Sequence, residues 1–192
     1  MNKFAFVAFI VVFGWILAAC ATPPTEDMNR AHDAVIRAEN DADAVAYAPA
    51  EIIRAREALS RMQSEADAKR YDAARNFAAE AIAYAERAID EGWAGATRAR
   101  SEAAALLNGL ETPLSETRTA ISSARQVDNI NLDFDTLSRD MGTAGQTYDS
   151  ARQSLNDNNY RDAIAGGHSV RSMLSDINST INYAVQDAAR KR

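Results

Sequence analysis

The chain has little cysteine and little histidine, and each scarcity excludes a class of structure or chemistry. Cys20 is the only cysteine among 192 residues, so no internal disulfide can form and stability must come from packing. The two histidines, His32 and His168, have no partner at the spacing of metal ligands. We therefore expect no metal site and no cofactor.

The sequence also lacks the patterns of β-strands. No segment alternates apolar and polar residues with a period of two, and aromatic residues make up only 7% of the chain. Alanine, the strongest helix former, is abundant instead, and only four prolines interrupt the sequence. These features predict an all-α protein.

Motifs for catalysis are missing as well. The serines lie in no G-x-S-x-G sequence, and no glycine-rich phosphate loop occurs. Asp133 and Asp135 offer too few oxygen ligands for calcium, and Asp133 is better placed as a helix N-cap. We expect no catalytic residue, and hence a protein that is not an enzyme.

The chain has no excess of positive charge. The chain carries 27 acidic and 21 basic side chains, for a formal net charge of −6. Nucleic acids and anionic membrane surfaces reward clustered lysine and arginine. The charge balance therefore argues against both as electrostatic partners.

Turn signals divide the helical sequence into six segments. Breaks are predicted at Ala48-Pro49, Lys69-Arg70, Asn108-Gly109, the polar loop 128–133 and the run 156–159. Short turns place successive helices antiparallel. The sequence thus predicts an elongated antiparallel bundle of two three-helix units, residues 25–109 and 110–192, each with a long third helix.

Apolar residues in these segments follow a heptad spacing, as in coiled coils. Folding at the run 156–159 would place Tyr148 opposite Gly166 and Gly167. The predicted core positions, in chain order, are Met28, Ala31, Val35, Ala38, Ala42, Val45; Ile52, Ala55, Leu59, Met62, Ala66; Ala74, Phe77 or Ala78, Ala81, Ala85, Ala88; Leu114, Thr117, Ile121, Ala124; Leu137, Met141, Ala144, Tyr148, Ala151, Leu155; and Ala163, Gly167, Val170, Leu174, Ile177, Ile181, Ala184, Ala188.

The first 24 residues have the layout of an export signal. Lys3 precedes the apolar run 4–17, and Leu17-Ala18-Ala19-Cys20 resembles the lipobox of bacterial lipoproteins. The resemblance implies a signal peptide over residues 1–19, a lipid on Cys20 and a short tether over residues 20–24. The alternatives are an uncleaved transmembrane anchor and a signal peptide that is cleaved without lipidation.

The resemblance also implies a location. In enterobacterial lipoproteins, aspartate directly after the lipidated cysteine retains the protein at the inner membrane. Ala21 occupies that position here, which implies the outer membrane. Several acyl chains on Cys20 would anchor the protein stably.

A second resemblance covers roughly residues 28–90. The residues that carry it are Tyr47-Ala48-Pro49-Ala50-Glu51 and the ranges 54–59, 71–75 and 79–81. They are similar to an alanine-rich helical domain of unassigned function in bacterial envelope lipoproteins. That domain is sometimes joined to an OmpA-like peptidoglycan-binding module, which is not found in this sequence. Tyr71 and Ala74 also resemble the second helix of a tetratricopeptide repeat, but no 34-residue period follows.

Two features have both a structural and a functional interpretation. Trp93, flanked by Gly92 and Gly95, is expected to fill the core between the two units; the alternative is an exposed contact for a partner. The terminal run 190–192 is basic, which suits a helix C-terminus, although it could also contact anionic cell-wall or lipid groups.

Together these features predict a lipid-anchored, non-enzymatic lipoprotein of the bacterial outer membrane. Its expected role is a periplasm-facing helical scaffold or assembly partner, held to the membrane through Cys20 and contacting an envelope protein or peptidoglycan. The alternative is a tetratricopeptide-like adaptor that binds peptides.

Overall fold

A computed structural model describes residues 22–191, and this part of the chain is helical with no β-strand. The predicted all-α helical bundle is therefore confirmed. The helices are α1 (Thr25–Asn40), α2 (Ala42–Tyr47), α3 (Pro49–Asp67), α4 (Tyr71–Asn108), α5 (Glu111–Ala124), α6 (Phe134–Asn156) and α7 (Tyr160–Arg190).

The helices form two compact units, with the division between Trp93 and Ala94, inside α4. The sequence placed this boundary at the end of the helix, after Gly109. Helix α4 itself has the length expected from its uninterrupted alanine-rich pattern, because Asn108 ends it. One helix thus supplies residues to both hydrophobic cores.

The first unit contains α1, α2, α3 and the first part of α4 around a core made mainly of alanine. Larger side chains are few: Val35, Ile52 and Met62 are buried, and Phe77 packs half-buried against the same core. Helices α1 and α4 begin at the same end, where Arg75 lies 3.9 Å from Asp27. Small side chains let these helices approach closely, because dispersion contacts need near van der Waals distances.

The first predicted helix is interrupted, contrary to its continuous heptad pattern. Asp41 has an extended backbone, and its carboxylate accepts a hydrogen bond from the Ala44 amide at 2.8 Å. Aspartate competes well for such an N-cap position. The chain therefore starts a new helix at Ala42, and Ala42 and Val45 are exposed instead of buried.

Three smaller predictions in the first unit also differ. Met28, in the first turn of α1, packs half-buried against the core. Leu59 is only half-buried, and Ala58 takes its place in the core. Ala66 is likewise half-buried, near the end of α3. The buried face of α3 is thus rotated slightly from the heptad positions.

The second unit has a core richer in leucine and isoleucine. Each predicted core position of α5 and α7 is buried. In α6, Leu137, Met141, Ala144 and Ala151 are buried, whereas Tyr148 and Leu155 pack half-buried at the edge. Thr117 is fully buried, and its hydroxyl oxygen accepts a hydrogen bond from the Asn178 amide at 2.8 Å.

The predicted contact of Tyr148 with Gly166 and Gly167 is wrong. A Cβ atom on Gly166 would lie 2.7 Å from Ala151 Cβ, and one on Gly167 would lie 2.6 Å from Leu106 Cδ2. The glycines do permit close helix approach, but α6 is shifted by about one turn and α4 covers Gly167. Tyr148 instead donates a hydrogen bond to Glu111 at 3.2 Å.

Candidate functional site

Within residues 22–191, no cluster of three or more histidine, cysteine, aspartate or glutamate side chains could hold a metal ion. His32 and His168 are both exposed. Asp133 caps α6, accepting hydrogen bonds from the amides of Asp135 and Thr136, as its position in the sequence predicted.

Cys20 lies outside the described residues, so the structure says nothing of its surroundings. The described chain begins two residues later, and α1 starts at Thr25. No helix within residues 22–191 has the length and apolar character needed to cross a bilayer. The basic C-terminus is partly described: Lys191 pairs with Asp187 at 2.5 Å, while Arg192 lies outside the description.

Trp93 is exposed, and the interpretation of this residue as a core plug is wrong. Its exposed fraction is 68%. On α4, Ala88, Gly92 and Ala96 occupy the buried face. Trp93 follows Gly92 by one residue, which rotates it about 100° around a helix and directs it to solvent.

Gly92 allows the backbone of α4 to lie directly against the backbone of α2. A Cβ atom on Gly92 would lie 2.5 Å from the amide nitrogen of Ala44 and 2.7 Å from the carbonyl carbon of Asp43. The backbones of α4 and α2 are therefore in direct contact. Only glycine fits here, so the α4 backbone next to Trp93 is held directly against α2.

Other exposed apolar and acidic side chains lie beside this contact. Val45 follows Ala44 on α2 and is 51% exposed. Asp90 precedes Trp93 by three residues, the spacing at which side chains are neighbours on one helix face. We name Asp43, Val45, Asp90 and Trp93 the Trp93 surface.

This surface lies far from the residues that lead to Cys20. Trp93 is 22 residues beyond Tyr71 on α4, a rise of about 33 Å. The start of α4 contacts the start of α1 through Arg75 and Asp27. Within the first unit, the Trp93 surface and Thr25 are therefore at opposite ends.

A buried carboxylate lies at the same end of the unit. Glu51, in the first turn of α3, is only 6% exposed. Its Oε1 accepts a hydrogen bond from Arg54 at 2.5 Å, and Arg87 of α4 lies 3.8 Å from Oε2. Sequence analysis missed Glu51 as a buried residue, although its place two residues after Pro49, in the first turn of the helix, favours an acidic side chain.

Open grooves lie between the helices of each unit. One groove, of about 810 Å³, lies between α1 and α3 and has Met28, Leu59 and Met62 among its lining residues. A groove of about 320 Å³ between α6 and α7 is lined by Asp133, Asp140 and Asp176 beside Leu137 and Ile177. A third, of about 530 Å³, lies between α5 and α6 and is mostly polar.

Comparison with known proteins assigns a domain without a function. Residues 26–106 match the family model described as Domain of unknown function (DUF4398). No curated protein and no solved structure matches the chain. The matched range contains the Trp93 surface, Gly92 and Glu51.

Proposed function

We propose that the protein is a lipid-anchored, non-enzymatic lipoprotein of the bacterial outer membrane, acting as a periplasm-facing helical scaffold or assembly partner. The lipobox-like residues 17–20 support anchoring through Cys20. The absence of a metal cluster or catalytic motif in the described part is consistent with a binding role. The partner contacted is an envelope protein or peptidoglycan, and the test below addresses the protein.

Exposure of Trp93 is the observation that carries this proposal. Tryptophan is enriched among residues that dominate the affinity of protein interfaces. Leaving a large aromatic side chain in water forfeits stabilisation of about 1.5–3 kcal/mol. Here the indole is exposed, on a backbone held by Gly92 against α2. A large aromatic side chain held in this way is suited to be buried by a partner protein on binding.

Lipidation is tested by labelling cells with a fatty-acid analogue. We expect the wild type and the control Thr22→Ala to be labelled and Cys20→Ser to be unlabelled, since Cys20 is the only thiol in the chain. Equal labelling of Cys20→Ser would exclude a lipid on this residue.

Partner binding is tested by crosslinking the full chain in intact cells. We expect Trp93→Ala to lose its crosslinked protein while retaining the wild-type melting temperature. Tyr183→Ala is the matched control, because Tyr183 is an equally exposed aromatic residue at 76%. Retention of the same crosslinks by Trp93→Ala would contradict the role of this residue.

A tetratricopeptide-like peptide adaptor is the second candidate, and the groove between α1 and α3 favours it. Leu59 lies half-buried in that groove beside Met28 and Met62. In this case Leu59→Gln would abolish the crosslinks and Trp93→Ala would not. The two variants therefore separate the candidates within one experiment.

A further inference from the structure

We infer that the Trp93 surface docks a basic segment of a partner protein, with an arginine or lysine of that segment over the indole. This inference rests on the proposed function, in which Trp93 is the partner contact. It adds the chemical class of the segment that binds.

Charge at this surface is negative and not neutralised. Asp43, Asp90 and the adjacent Glu91 form no ion pair within the described residues. Asp90 and Glu91 are exposed, and Asp43 is half-buried. Arg87, which precedes Trp93 by six residues on α4, already lies 3.8 Å from Glu51 and 5.7 Å from the centre of the Tyr84 ring.

The helix geometry brings the residues that carry these carboxylates to the same part of the first unit. Residues three apart on a helix have Cβ atoms about 5–6 Å from each other, so Asp90 neighbours Trp93. Asp43 lies across the α2–α4 contact, with its carbonyl carbon 2.7 Å from the Cβ position of Gly92. Asp43 on α2 and Asp90 on α4 therefore lie next to the same backbone contact, the one that precedes Trp93 by one residue.

Tryptophan has the strongest cation–π attraction among the aromatic side chains. The indole and the carboxylates therefore favour the same ligand, a guanidinium or ammonium group. Exposed Val45 adds apolar surface for the aliphatic stem of such a side chain. An anionic segment would instead be repelled by Asp43, Asp90 and Glu91.

The host membrane does not account for this surface. Thr25, which follows Cys20 by five residues in the sequence, lies at the other end of the first unit, about 33 Å away along α4. The acidic side chains also oppose the anionic headgroups of a bilayer. A protein segment is the occupant to which both the distance and the charge point.

The test uses the protein purified in detergent with Trp15→Phe, so that Trp93 is the only tryptophan whether or not residues 1–19 have been removed. A hexa-arginine peptide is titrated against the emission of Trp93, and a labelled copy of the peptide reports binding by anisotropy. We expect a change in Trp93 emission and an affinity that falls as salt rises. A hexa-glutamate peptide should not bind.

Variants then locate the binding. Trp93→Leu and the double variant Asp43→Asn/Asp90→Asn should each weaken hexa-arginine binding about fivefold or more, as measured by anisotropy. Asp140→Asn/Asp176→Asn, which removes the same charge from the α6–α7 groove, should leave the affinity within about twofold of its starting value.

Equal weakening by both double variants would show attraction to net charge alone and overturn the inference. So would an unchanged affinity for Trp93→Leu. If the crosslinks in cells still require Trp93, such results would leave the proposed function in place and reject only a basic partner.

Discussion

Lys69 and Asn158 adopt the same uncommon backbone conformation in corresponding turns of the two units. Their φ angles are 60° and 62°, in the left-handed region. In each turn the following amide closes the preceding helix: Arg70 donates to the Glu65 carbonyl, and Asn159 donates to the Ser154 carbonyl, both at 2.8 Å. These are Schellman motifs, in which glycine is the usual left-handed residue.

Replacing Lys69 by glycine should therefore stabilise the first unit. The left-handed conformation costs a residue with a side chain about 1–2 kcal/mol, and glycine adopts it without this cost. Part of the gain is offset by the flexibility of glycine in the unfolded chain. We expect Lys69→Gly to raise the free energy of unfolding by about 0.5–1 kcal/mol, measured by urea denaturation. Lys69→Ala is the control and should give no comparable gain.

Asp133 should make the stability of the second unit sensitive to acid. Hydrogen bonds from the Thr136 amide and hydroxyl hold the pKa of its carboxyl below the usual value of an aspartate. A lowered folded pKa contributes stability that is present above the unfolded pKa and is lost as the pH falls through the folded pKa.

The wild type should accordingly lose part of its unfolding free energy as the pH is lowered below about 4. Asn also caps helices well but does not titrate in this range. Asp133→Asn should flatten this part of the stability profile, as measured by urea denaturation at a series of pH values. An identical slope in both proteins would mean that the carboxylate does not stabilise the cap.

At the scale of helices, glycine decides which pairs can touch through their backbones. Gly92 faces the backbone of α2, which cannot be moved without shifting the helix, whereas nothing lies within 4 Å of a Cβ atom on Gly142. Both glycines are inside helices. They therefore form a matched pair that differs in packing.

Gly92→Ala should separate α2 from α4. We expect it to lower the free energy of unfolding by about 1–3 kcal/mol, because overpacking exceeds the gain in helix propensity. Gly142→Ala should raise the free energy by up to about 1 kcal/mol through propensity alone. Denaturant titration of both variants measures the contrast. A higher free energy of unfolding for Gly92→Ala than for the wild type would show that α2 can shift to accommodate the added methyl group without loss of stability.

The heptad pattern predicted helix faces well where the helix is long and its core side chains are large. Leu174, Ile177 and Ile181 of α7 are examples, since only one face of such a helix can bury them. The heptad pattern could not identify which residues contact each other across two helices. It shows which residues of one helix are buried, but not how far the neighbouring helix is shifted along its axis. Tyr148 was therefore assigned to Gly167, whose neighbour is Leu106.

The candidate site was harder to predict for a related reason. Tryptophan next to glycine suggested a buried plug, because burial of a large aromatic side chain is the common outcome in cores. The sequence does not show that Gly92, and not Trp93, occupies the buried face of α4. The close approach of α2, itself set by the cap at Asp41, determines this orientation.

At the scale of the whole molecule, the two hydrophobic cores share no residue within the described range 22–191. One contains the buried side chains from Ala31 to Ala88, and the other those from Ala103 to Ile181. Met62 and Leu174 lie in different cores and are each 3% exposed. Truncating either residue creates a cavity in one core only.

Each truncation should therefore loosen its own unit first. Met62→Ala and Leu174→Ala should each cost about 2–5 kcal/mol of local stability. We expect hydrogen exchange, measured by mass spectrometry on the full chain, to accelerate in α1 and α3 for Met62→Ala and in α5 to α7 for Leu174→Ala. Each variant is the control for the other. Equal acceleration in both units for either variant would show that they unfold as one cooperative body, since opening of one core would then require opening of the other.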